Sequence, residues 1–112
     1  MNSLLPLQDD KKLSVTYRVE PGCLGPEGAS HVVKFCGFAH AELQSLDSDT
    51  IVLNIVPRAD KMLPEMEYSI VGKKINYAQA EQYLAAFGQS LDDFECQLSD
   101  RLANLIDDFM GH

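Results

Sequence analysis

The last third of the chain carries the pattern that most restricts its fold. Leu91, Phe94, Leu98, Leu102, Leu105, Ile106 and Phe109 fall within an arc of about 120° on a helical wheel, the apolar stripe of a helix laid against a core. Asp93, Asp100 and Asp107 recur every seven residues on the opposite side. Only Glu95 intrudes on the stripe. Ser90 with Asp93 three residues on reads as a capping-box variant at its start. A second helix precedes it. Asn76 is its cap, its apolar positions are Tyr77, Ala80, Tyr83, Leu84 and Phe87, and Gly88 suits the left-handed position after its end.

The first part of the chain has a different period. Leu13, Val15, Tyr17 and Val19 alternate with Ser14, Thr16, Arg18 and Glu20, which predicts a half-buried strand. Pro21 to Ser30 holds three glycines and two prolines and reads as an irregular loop, a mobile lip over a ligand or partner if it has a function. His31 to Leu43 is rich in β-branched and aromatic residues, which favours a strand. A helix there would place Gly37 mid-span at a cost of about 1 kcal/mol. Thr50 to Val56 is apolar on nearly both faces and stopped by Pro57, the signature of a central, doubly covered strand. Met66, Tyr68 and Ile70 alternate with Glu67 and Ser69, and Val71 to Lys74 turns the chain before Ile75. The expected fold is α+β: a four-stranded antiparallel meander followed by two C-terminal helices packed on one sheet face. Residues 1–12 read as a flexible N-terminal arm, and 13–112 as a single domain.

The 112 residues supply an ordinary hydrophobic core for one domain. The longest charge-free stretch, Gln82 to Leu91, is far short of the roughly 20 residues a membrane span needs. Seventeen acids against nine bases give a net charge of −8. Residues 76–112 hold seven of the acids and one base, Arg101. That sign opposes direct binding to nucleic-acid phosphates or an anionic membrane. The first ten residues do not read as a signal peptide. Three scattered cysteines, Cys23, Cys36 and Cys96, point to reduced thiols and a cytoplasmic location.

Chemical motifs are scarce. No C-x-x-C or H-E-x-x-H occurs, and the expectation is no metal, no cofactor and no catalysis. Ser30 and His31 are neighbours and point apart on an extended chain. Cys36 and His40 could share an ion on a helix, but on a strand they lie roughly 13 Å apart. Lys73 and Lys74, with Arg58 and Lys61, form the only basic cluster, expected to converge at one end of the sheet. The candidate ligand or partner contacts are therefore Cys36, His40, Tyr68, Lys73, Lys74, Asp93, Asp100 and Asp107. Apolar residues on both sheet faces, with two helices to cover them, predict an exposed patch and a homodimer or protein partner. The expected function is a small acidic protein–protein interaction module: a dimeric adaptor, chaperone-like binder or regulator. Two alternatives are a ligand-binding or enzymatic cup between sheet and helices, and an acidic decoy of nucleic acid that occupies a basic protein.

Overall fold

The computed structural model describes residues 7–111. Residues 1–6 of the expected arm lie outside the described residues. Residues 7–12 include a 3-10 turn over Asp9–Lys11. Leu7 N–H donates to the Asp49 carbonyl at 2.9 Å, and the Lys11 carbonyl accepts from the Tyr83 hydroxyl.

The alternating segment forms β1 (Leu13–Val19). After a 3-10 turn over Pro21–Leu24 comes α1 (Gly28–Leu43), where a strand was expected. The spacing of Val32, Phe35, Cys36 and Ala39 is not that of a pleat: together with Leu43 these buried residues recur at helical spacing. Burying that row outweighs both the β-branched content and the mid-helix glycine, because propensity is a weak prior against packing. α1 enters hard against the 3-10 turn. A Cβ on Gly28 would lie 1.7 Å from the Pro21 carbonyl oxygen, so the close approach admits only glycine.

β2 (Ile51–Pro57), β3 (Met66–Ile70) and β4 (Lys73–Ile75) complete a sheet of order β2-β1-β3-β4. The expected antiparallel meander is corrected by this order. With a helix between them, β1 and β2 pair in parallel, Leu13 beside Ile51 through Val19 beside Pro57. β3 is antiparallel to β1, and β4 to β3, so the sheet is mixed. The fourth strand is the short Lys73–Ile75 segment, in the region read as a turn. Val71 and Gly72, at φ 51° and 74°, form the two-residue hairpin connection that joins it to β3.

α2 (Tyr77–Ala85) and α3 (Leu91–Met110) close the chain. Asn76 and Gln79 form a reciprocal capping box on α2. The Ser90 hydroxyl accepts from Asp93 N–H on α3 at 3.2 Å, and Gly111 ends that helix at φ 77°. All three helices cover one sheet face. That face carries Leu13, Val15, Val19, Ile51, Leu53, Ile55 and Tyr68, all in one buried cluster with the helices.

The other face has a different composition. It carries Ser14, Thr16, Arg18, Asn54, Glu67, Ser69 and Lys74, with Val52 and Val56 as its only apolar members among the strand positions. Arg18 meets Glu67 at 2.8 Å and Lys74 meets the same carboxylate at 3.7 Å, so the charges bridge three strands. The expectation of a sheet apolar on both sides is thereby corrected. Of the two segments that suggested it, residues 31–43 wrap around a helix, and Thr50 to Val56 contributes only Val52 and Val56 to this face. No helix among the described residues is long and apolar enough to cross a membrane.

Candidate functional site

The two edges of the sheet are built differently. β4 is three residues long, and its exposed Lys73 and Lys74 guard it against further strand pairing. β2 is seven residues long, contains no charge and, among the described residues, has a strand neighbour on one side only. Leu13 N–H donates to the Thr50 carbonyl and Arg58 N–H to the Val19 carbonyl, which points the even-numbered residues of this segment toward β1. The backbone groups of Leu53 and Ile55 therefore point away from the sheet. Such a row is a ready template for another strand. At its foot, Leu7 approaches the same outer side through Asp49. At its other end Pro57 removes a donor.

α1 lies over this edge. Its sheet side is Val32, Cys36, Ala39 and Leu43. Its second flank meets α3: Phe109 touches Phe35, Phe38 and His31 at ring-centroid distances of 5.5, 5.8 and 6.5 Å. The Tyr68 hydroxyl donates to Glu95, which carries the start of α3 over β3, away from β2. By helical rotation the remaining flank, above the free edge, holds Ala29, Val33, Gly37 and His40. Val33 is 71 % exposed. Among the described residues nothing comes within 4 Å of a Cβ placed on Gly37, so none of their contacts demands glycine there.

A separate cleft of about 690 Å³ opens between the Pro21–Leu24 turn, the start of α1 and the end of α3. Its apolar wall includes Leu24, Ile106 and Met110, and its polar groups include Cys23, Glu27 and His31. Tyr17 of β1 feels the charge of Cys23, one of the residues lining this cleft. Burial, followed by the charges of Glu65 and Cys23, pushes the Tyr17 phenol up to about 12. Sequence reasoning saw the glycine-rich lip but missed Cys23 and His31 as partners, because an extended segment would have carried His31 elsewhere.

The candidate contact residues do not form one site. Cys36 and His40 sit one helical turn apart on α1, not 13 Å apart on a strand. Cys36 faces the core, where burial pushes its thiol up to about 11. Among the described residues, no group of three or more His, Cys, Asp and Glu side chains could hold a metal ion. Tyr68 is buried on β3 and bound to Glu95. Lys73 and Lys74 lie on β4, at the opposite edge from Arg58, so the basic cluster does not converge. Arg58 instead binds Glu20 at 3.7 Å and the carbonyl of Leu63 at 3.2 Å, tying down the connection that follows β2. Asp93, Asp100 and Asp107 are all exposed along α3. Asp100 lies near Cys96 and Glu95 in a shallow polar depression.

Comparisons with protein-family models, with curated proteins and with solved structures find no match.

Proposed function

We propose that this chain is a protein–protein interaction module that receives a β-strand along the outer edge of β2. The observation that carries this reading is the contrast between the edges. One is short and lysine-guarded; the other is seven residues long, uncharged and, among the described residues, without a strand on its outer side. Main-chain bonds from Leu53 and Ile55 supply affinity in this binding mode, and flanking side chains supply selectivity. Ile55→Pro tests it. The substitution removes an outward donor without touching the bonds to β1. Size-exclusion chromatography and hydrogen exchange should show loss of association and no protection at Leu53. Unchanged association would refute strand addition.

The cleft supports a second reading, a site for a small, largely apolar ligand gripped by Leu24, Ile106 and Met110. Saturable chemical-shift changes at His31 and Met110 on titration with small aromatic molecules would support it.

A further inference from the structure

We propose that the strand completing β2 is β2 of a second copy, antiparallel to it, and that the two α1 helices meet across the symmetry axis through Ala29, Val33, Gly37 and His40. The proposal rests on the strand-addition reading above and names the partner.

Three observations converge on a second copy. The first is charge order along the edge. β2 is preceded by Asp47 and Asp49 and followed by Arg58 and Lys61, with Asp60 between them. Antiparallel pairing of two copies sets the acidic end of one against the end bearing Arg58 and Lys61 of the other, and a parallel pair would oppose like ends. The Arg58–Glu20 pair at 3.7 Å offsets part of this, leaving Lys61 as the exposed cation. The second is α1. It packs chiefly on β2, and equivalent crossover helices in such a dimer would stand two strand spacings apart or closer, roughly 10 Å. That is helix-packing distance, and close crossings favour small residues. Gly37, which no internal contact requires, and Ala29 fit that seam, and Val33 gains the cover it lacks. The third is the placement of charge. α3, with most of the C-terminal acids, lies on the flank of α1 away from the axis. The two acidic helices of the dimer are thus held apart, which limits repulsion between copies of net charge −8. An antiparallel pair about a two-fold axis is isologous and closes, so the sheet stops growing at eight strands.

Sedimentation equilibrium of the full chain, with amide exchange, tests the proposal. The expected mass is twice the 12.4 kDa of one chain, with slow exchange at Leu53 and Ile55. Gly37→Arg should raise the thermal stability of the single chain, since arginine is the better helix former, and weaken dimerisation at least tenfold. Ile55→Pro should give monomers. A dimer dissolved by Ile55→Pro but untouched by Gly37→Arg would overturn the α1 seam and leave strand addition standing. A dimer that survives Ile55→Pro, or a monomer at all concentrations with fast exchange at both amides, would overturn both. A monomer whose two amides are protected until residues 1–6 are removed would identify the chain's own segment as the occupant and overturn the second copy.

Discussion

The Tyr68 hydroxyl on β3 donates to the Glu95 carboxylate on α3, 27 positions along the chain. This contact explains the one acid set among the apolar positions of the last helix: Glu95 is half-buried because a buried phenol receives it. Burial, the hydrogen bond to Glu95 and its charge, with a smaller contribution from Tyr77, all hold the Tyr68 phenol well above the ordinary tyrosine range.

The direction of that shift fixes a pH dependence. The unfolded chain loses the phenol proton near pH 10, and the folded chain keeps it to higher pH. The folded state then binds more protons than the unfolded one, so stability is full below pH 10 and falls as pH rises beyond it. Tyr17, pushed up to about 12, adds loss between pH 10 and 12. Cys36, pushed from 9.0 up to about 11, starts the decline near pH 9. Urea unfolding from pH 7 to 12 should show this alkaline limb. Tyr68→Phe should lower stability at pH 7 by about 2 kcal/mol, the scale of a hydrogen bond to a charged group, and make the limb shallower. An equally steep limb in Tyr68→Phe would contradict the assignment.

Much of the fold is legible in the sequence, and the departure that changes the topology has one source; the short β4 in the expected turn is a separate one. β1 follows its parity, and α3 follows its stripe from Leu91 to Phe109 with Ser90 as cap. Residues 31–43 depart from the expected strand because Val32, Val33, Phe35 and Phe38 favour a strand locally, whereas Val32, Phe35, Cys36, Ala39 and Leu43 point to a helix only when burial is known. That single exchange turned a meander into a mixed sheet, since a helix between β1 and β2 makes a parallel pair possible. It also moved the edge: β2 was read as a central strand from its continuous Ile and Val, and it lies outermost. The site depends on that position, so it was not legible before the topology was known.

The entry of α1 makes a steric prediction. Gly28→Ala would press a methyl group into the Pro21 carbonyl, and backbone on both sides leaves little room to yield. The expected loss is about 3 kcal/mol, at the upper end of overpacking effects, measured by urea unfolding. Gly37→Ala is the control at the same residue type. It meets open space and should gain about 1 kcal/mol of helix propensity within the single chain. Equal effects at the two glycines would contradict this account of the 3-10 turn.

The three thiols should separate by reactivity in the native state. Cys23 and Cys96 are exposed and Cys36 is buried on the sheet side of α1. Maleimide labelling at pH 7, followed by mass spectrometry, should add two labels quickly and the third only as the chain opens. Denaturant should bring the third label to the rate of the others. Prompt labelling of Cys36 in the native protein would mean that α1 separates readily from the sheet.

The β3–β4 hairpin holds one β-branched residue in an unfavourable backbone geometry. Val71 adopts φ 51°, a left-handed conformation that a β-branched residue enters at a cost of order 1 kcal/mol or more. Its side chain is 70 % exposed, so no burial offsets that strain. With Gly72 next at φ 74°, the pair has the backbone of a connection that favours Asn-Gly. Val71→Asn should therefore raise stability by about 1 kcal/mol, read as a higher urea midpoint with unchanged slope. Val71→Pro, which fixes φ near −65°, should break the hairpin, release Lys74 from Glu67 and lower the midpoint. If Val71→Asn lowers stability instead, the valine serves a contact made only when another molecule covers this end of the sheet.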